Sequence, residues 1–249
     1  MTQSYAALAV QDFVRVSSLL QSECRPLQQP DLAFGIEALD NALHLNFGQL
    51  ITFQGKTAHA LCALLCVRAM LPQPLGPDCD VIFVDGGNSF DPYAISDNSI
   101  KQNLDAENVL DRLHVSRAFT HHQLARIITD KLPLALREFG AKLVIISDIT
   151  NLYCDPDVRD DDKEDALRIF AKSTRTLKML ARQYHCLIIV TNLEFRNPLL
   201  DHILARIAHV SMKIEQKAGL CEFSLLKQPR LPPYTVAFAS DGKTLESYM

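Results

Sequence analysis

Four short apolar runs constrain this chain more than anything else in it: Leu50–Phe53, Val81–Val84, Leu143–Ile146 and Leu187–Val190. None alternates with polar residues, so each reads as a strand covered on both faces, the pattern of a parallel sheet packed between helices. Helical periodicity fills the gaps near 58–71, 121–139 and 164–183. Strand, helix and strand in repetition predict an α/β fold with a mostly parallel sheet. After Asn192 the pattern changes. Val210–Ile214, Cys221–Leu226 and Tyr234–Phe238 are short strand candidates with little helix between them, expected to extend one edge in antiparallel fashion, with Pro229, Pro232 and Pro233 marking the last turn. Residues 1 to about 30 carry a loose helical pattern that ends at Arg25-Pro26 and Pro30. The expected organisation is therefore a short N-terminal segment, 1–30, and one core domain, 31–249.

The chain has 249 residues and a net charge of only −4, so no global positive field draws it to nucleic acid, and contact with DNA requires a local patch. Seven cysteines, with no CxxC pair among them, read as reduced thiols of an intracellular protein. His59, Cys62 and Cys66 would share a helical face, which raises a metal site. They sit among Ala, Leu and Val, where buried small residues are the expected reading, and no metal is assigned. No basic start leads into an apolar run, and no stretch reaches the roughly 18–20 apolar residues of a membrane span. The expectation is a soluble, intracellular protein, nuclear in a eukaryote and cytoplasmic in a prokaryote.

Helix 164–183 presents Leu167, Phe170, Thr174, Leu177 and Ala181 at spacings of three and four, a face for the sheet. Arg168, Lys172, Arg175, Lys178 and Arg182 fall opposite. They read either as a solvated helix face or as a stripe that tracks phosphates, with Arg168, Lys172 and Arg175 the DNA-binding candidates.

Several segments, taken in order, resemble the RecA-like recombinases, in particular the archaeal and eukaryotic branch typified by RadA and its paralogues. FGIEALD at 34–40 is similar to the family's TGxxxLD, and GQLIT at 48–52 to GxITE. VIFVDGGNSFDP at 81–92 resembles YIDTEGTFRP. Val115–Phe119 with His122 and Gln123 resembles ARAxxxxHQ, LVIISDITNLY at 143–153 resembles LLIVDSATALY, and IVTN at 189–192 resembles VITNQ. Leu231-Pro232 followed by Ser240-Asp241-Gly242 is similar to the family's C-terminal end. The resemblance covers about residues 33 to 245. It implies a RecA-like P-loop core with nucleotide at the C-terminal ends of the strands, a setting of homologous recombination and DNA repair, and ATP with Mg²⁺ as cofactor.

Residue by residue, the chemistry departs from that pattern. A P-loop needs glycines to curl backbone N–H groups around phosphates, a Lys, and a Ser or Thr for Mg²⁺. Gly55-Lys56-Thr57 supplies the GKT ending, but the first glycine of GxxxxGK[ST] falls on Leu50, inside the strand. Gly55, Lys56, Thr57 and Asp148 are the nucleotide-binding candidates. They read either as a weak phosphate contact at a helix N-terminus or as a shortened turn with Thr57 as N-cap. The family's catalytic glutamate aligns with Gly87, the Walker B aspartate with Ser147 and the sensor glutamine with Leu193. Asp148 lies one place late, and a one-residue offset is expected to aim it away from Mg²⁺. Asp85 matches an aspartate that is largely structural in the family. No catalytic residue is assigned.

The loop at 155–165, where the recombinases' first DNA-binding loop carries arginine, holds seven acids against two bases. It reads as a solvated turn capping the next helix or as an acidic partner-binding tab. The second loop shrinks to about seventeen residues with Leu199, Leu200, Ile203, Leu204 and Ile207 at helical spacing and Glu194–Asn197 as its remnant. These features favour an accessory recombinase paralogue that works through contacts with another recombinase-fold subunit, with single-stranded DNA reached as part of that complex. Phe13 is the candidate anchor for the neighbour. A weak DNA-dependent ATPase using Lys56 and Thr57, and a regulatory or scaffold module with no DNA role, are the alternatives.

Overall fold

The computed structural model describes residues 30–154, 160–193, 197–217, 220–228 and 233–239. Phe13, the acidic stretch 155–159, Glu194–Arg196 and the Ser240–Gly242 motif lie outside these residues.

After a short helix α1 (Glu37–Ala42), the chain runs through β1 (Leu50–Gln54), α2 (Ala58–Met70) and β2 (Val81–Asp85). Then follow α3 (Pro92–Lys101), α4 (Ala106–Asp111), β3 (Leu113–Arg117), α5 (His121–Arg126), a π-helical turn (Ile127–Lys131) and α6 (Leu132–Phe139). The second half holds β4 (Leu143–Ser147), a 3₁₀ turn (Asn151–Tyr153), α7 (Asp160–Gln183), β5 (Leu187–Asn192), α8 (Pro198–Ile207), and β6 (Val210–Lys217), β7 (Leu220–Lys227) and β8 (Tyr234–Ala239). Among the described residues one eight-stranded sheet runs in the order β3-β2-β4-β5-β1-β6-β7-β8.

All four apolar runs are interior parallel strands. Their side chains alternate across the sheet and fill two cores at once. Ile51, Phe53, Phe83, Ile145 and Ile189 pack toward α1, α2 and α3. Leu50, Val84, Val144, Ile146 and Val190 pack toward α5 to α8, meeting Leu124, Leu136, Phe170, Leu177 and Leu204. Each fully buried side chain of this size contributes about 1.5–3 kcal/mol. Of the expected inner face of α7, Phe170, Thr174, Leu177 and Ala181 are buried, with Leu167 half-buried; Arg168, Lys172, Arg175 and Arg182 are exposed.

Three details differ from the sequence reading. The stretch 121–139 is not one α-helix: its middle turn is π-helical. Pro133 in the first turn of α6 has no N–H to donate back to residue 129, and the hydrogen-bond ladder shifts there. The C-terminal extension begins parallel, with β6 beside β1, and its antiparallel pairings are β6–β7 and β7–β8. Strand β3 overlaps a stretch read only as a motif, and helix α3 begins at the last residue of another. β3 occupies the sheet edge with Val115 and Arg117 open to solvent, and α3 starts at Pro92, with the Asp91 carboxylate accepting from the Tyr93 and Ala94 N–H groups.

Candidate functional site

The C-terminal ends of the parallel strands bring Gly55, Lys56, Thr57, Asp85, Gly87 and Asp148 to one rim of the sheet. Only Gly55, Lys56 and Thr57 separate β1 from α2. Gly55 has φ +108, donates its N–H to the Asn192 carbonyl at 3.1 Å, and lies so close to β6 that a Cβ there would collide with the Ile214 carbonyl oxygen. A glycine is required here, and it serves a close backbone approach. Thr57 stands at the N-cap of α2 with φ −68° and ψ −13°, and its side chain makes no cap bond. Lys56 is exposed. A triphosphate cradle needs a longer run of backbone N–H groups with freedom to curl. Three residues with one glycine pressed against β6 do not fit that requirement, so no step through ATP is derived.

Asp148 follows β4 directly, with φ +45 and a nearly buried carboxylate. The Thr191 hydroxyl accepts from its N–H at 2.9 Å, and Asn151 donates to its carbonyl at 2.8 Å. The residue forms a left-handed kink at the end of β4. Its Oδ1 lies 3.0 Å from Nε2 of His59, in the first turn of α2. The carboxylate thus contacts the helix that follows Lys56 and Thr57, and its partner there is a histidine. A Cβ at Gly87 would collide with the Asp148 side chain, so the position aligned with the family's glutamate has no room for one.

Ser147, at the position aligned with the Walker B aspartate, points its hydroxyl at Asp85 and donates to Oδ1 at 2.8 Å. The fully buried Asp85 carboxylate also accepts from the Ser89 N–H at 3.0 Å, the Phe90 N–H at 3.4 Å and Arg117 Nε at 3.1 Å. Burial alone would raise its pKa. The hydrogen bonds from Ser89, Ser147 and Phe90, and the Arg117 charge, outweigh burial and hold it below the ordinary carboxylate value. Asp85 thus ties the ends of β2, β3 and β4 together, a structural office. At the end of β5, Asn192 donates to Asp201 at 2.8 Å and so spans from the strand to the head of α8.

Cys62 and Cys66 are buried in α2, and burial pushes both thiols up. Among the described residues no group of three His, Cys, Asp or Glu side chains could hold a metal ion, and no helix is long and apolar enough to cross a membrane. The DNA candidates separate along α7. Arg168 pairs with Glu164 at 2.6 Å and Asp165 at 3.5 Å; Lys172 is exposed; Arg175 turns toward α8. His202 and Arg206 of α8, which join Arg175 there, were invisible in the sequence because only the packing of α8 on α7 brings them across. His59 was noticed as a neighbour of cysteines; its partner Asp148 lies 89 positions away, which no local pattern shows.

An open parallel sheet with helices on both faces, a polar rim at the strand ends and an antiparallel extension beyond β6 defines a RecA-like core. The Rad51 family model matches residues 32–219, and the chain belongs to that family. It is 27% identical over 227 residues to the human meiotic recombination protein DMC1/LIM15 homolog, covering 84% of this chain and 64% of that protein, and the mouse homolog matches to the same extent. The DNA repair and recombination protein RadA of Cenarchaeum symbiosum is 25% identical over 146 residues, or 58% of this chain and 36% of that protein. The chain therefore spans less than two-thirds of the length of these relatives.

Proposed function

We propose that this chain serves homologous recombination and DNA repair as an accessory subunit that docks on another recombinase-fold protein instead of turning over ATP. Its family, and relatives named for meiotic recombination and DNA repair, support the setting. The observation that carries the non-catalytic part is the packing of Asp148 into the space beside Gly87, with His59 as its partner. That arrangement removes the position that would orient an attacking water, and losing one such group costs about 10²-fold or more in rate. In this reading 31–249 is the core domain and 1–30 reaches the neighbouring subunit, with Phe13 as anchor. Single-stranded DNA is met within the complex, with Lys172 and Arg175 the phosphate contacts that Arg168, paired to its own helix, supplements least.

The test is light scattering of the purified chain mixed with the recombinase of its own cell. A stable heteromer that survives Lys56→Ala and weakens with Phe13→Ala is expected. A chain that stays monomeric beside every such recombinase overturns the reading. A second reading, a weak ATPase, is favoured by the exposed Lys56 just ahead of α2, whose first turn holds Asp148 through His59. Calorimetric titration with Mg-ATP decides it: micromolar binding abolished by Lys56→Ala would make the chain a nucleotide-binding enzyme. Absence of any single-stranded DNA signal in fluorescence anisotropy, with and without the partner, would point to a scaffold with no DNA role.

A further inference from the structure

The C-terminal halves of α7 and α8 enclose an open groove of about 910 Å³ on the sheet face opposite α2. Its floor is apolar, made by Met179, Ile203 and Ile207. Met179 is 54% exposed, a flexible side chain with no cover. The rim carries Arg175 and Arg182 on one side and Arg206 on the other, next to the His202 ring, with Lys178 between them. No Asp or Glu lines it. Among the described residues neither Arg175 nor Arg206 has a carboxylate partner, in a chain whose net charge is −4.

The walls of the groove are fixed in place. Lys178 donates to the Ile207 carbonyl at 2.8 Å, and Lys227 of β7 donates to the Ala205, Arg206 and Ala208 carbonyls at 2.7, 3.1 and 2.7 Å. Two ammonium groups thus hold the C-terminal end of α8, where unsatisfied carbonyls and the helix dipole favour cations. The crowding of positive charge leaves a trace. Burial first, and then Arg182, lowers the Lys178 pKa; burial first, and then Lys178, lowers that of Lys227. An arriving negative charge relieves that repulsion.

From this groove the geometry points to a docking site for an acidic amphipathic helix of a partner protein, with its carboxylates on Arg175, Arg182 and Arg206 and its aliphatic side chains on the Met179–Ile203 floor. The inference goes beyond the subunit reading and uses neither the nucleotide rim nor residues 1–30; at Arg175 it replaces the DNA phosphate of that reading with a protein carboxylate. Arg175 and Arg182 are two helical turns apart, roughly 10 Å along α7. A docked helix therefore meets both with acids at i and i+7, and sets aliphatic residues at i+3 and i+4 over the floor between them. The floor decides between protein and nucleic acid. A single strand bound without sequence preference stacks its bases on aromatic side chains, and no Phe, Tyr or Trp lines this groove. A preformed apolar cleft with a charged rim is what a helix can bury against when one face carries aliphatic residues flanked by acids.

The probe is a fluorescein-labelled synthetic helix of about five turns carrying Glu at i and i+7 and Leu at i+3 and i+4, titrated against the full chain in fluorescence anisotropy. Binding that weakens with added salt is expected, reduced at least roughly tenfold by Arg182→Glu or Arg206→Glu and unchanged by Lys131→Glu, which lies off the groove. Replacing the peptide's Glu residues with Gln should abolish it. Circular dichroism melting of each variant separates lost binding from lost fold, and Arg182→Gln with Arg206→Gln serves as a milder pair. Failure of the peptide to bind, or binding indifferent to both arginines, overturns the proposal. So does a twenty-nucleotide oligo-dT that binds more tightly than the peptide and loses affinity on the same two substitutions. Loss of heteromer formation in the light-scattering experiment above leaves this result unaffected, and the two failures are distinguishable.

Discussion

Asp148 fills the volume into which a side chain at position 87 would project. The kink at Asp148, φ +45, swings its carboxylate under the loop after β2, and His59 holds it there at 3.0 Å. The absence of a glutamate at 87 and the late position of the aspartate are one packing solution, not two independent losses.

That relationship is measurable. Gly87→Ala forces a methyl group onto the Asp148 side chain and should cost about 1–3 kcal/mol, the usual range for overpacking a tight site. In an Asp148→Ala background the same substitution should cost much less. Urea denaturation of the four proteins gives a double-mutant cycle, and a coupling near zero would show that the two positions do not compete for space.

Asp85 makes a second case. Its folded pKa lies below the ordinary value of about 3.9, so folding favours the ionised carboxylate. The stabilisation is complete above that ordinary value and is lost as pH falls through the folded one. Asp85→Asn should cost about 2–3 kcal/mol at neutral pH, somewhat below a fully buried pair because Arg117 is 40% exposed. The variant's stability should also fall less steeply on acidification, measured by chemical denaturation between pH 2 and 5.

His209 shows the opposite chemistry with the same slope. Burial, then Lys178 and Arg182, with Lys227 behind them, push its pKa down to about 4, against an unfolded value near 6.5. Nδ1 accepts from the Leu50 N–H at 2.9 Å, which requires that nitrogen to be unprotonated. The unfolded chain binds the proton more readily, so stability is fully present above about pH 6.5 and declines as pH falls toward about 4. His209→Gln should remove up to about one proton's worth of that pH dependence. An unchanged slope between pH 4 and 6.5 would exclude the assignment.

Lys227 is expected to matter more than a surface lysine ordinarily does. Lys227→Met removes the donor to three carbonyls at the end of α8 and should destabilise by about 1–2 kcal/mol. Hydrogen exchange should show the loss concentrated in residues 198–207. A uniform loss across the sheet would mean that the lysine acts elsewhere.

Much of the scaffold was legible in the chain. The runs Leu50–Phe53, Val81–Val84, Leu143–Ile146 and Leu187–Val190 carry no polar alternation because both faces are covered, and each is an interior strand. The strand β3 was not legible: at the sheet edge Val115 is 45% exposed, and Leu-His-Val-Ser-Arg lacks the continuous apolar signature. The direction of β6 was equally hidden, because Val210–Ile214 reads the same whichever way it runs and its partner Ile51 lies far off in sequence. Of the site, the gaps at 87, 147 and the first P-loop glycine were readable as residue types. What replaces them was not. The His59–Asp148 contact, the Ser147–Asp85 bond and the approach of Gly55 to Ile214 are all tertiary, and a linear pattern carries no trace of them.

The wall that Ile214 sets against Gly55 has a bearing on how such a chain can change over generations. Inserting residues after β1 would drive the new loop into the β6 backbone, and the hairpin beyond it would have to give way first. A roomier turn therefore requires β6 to move with it, so changes in the loop and in the hairpin have to come together.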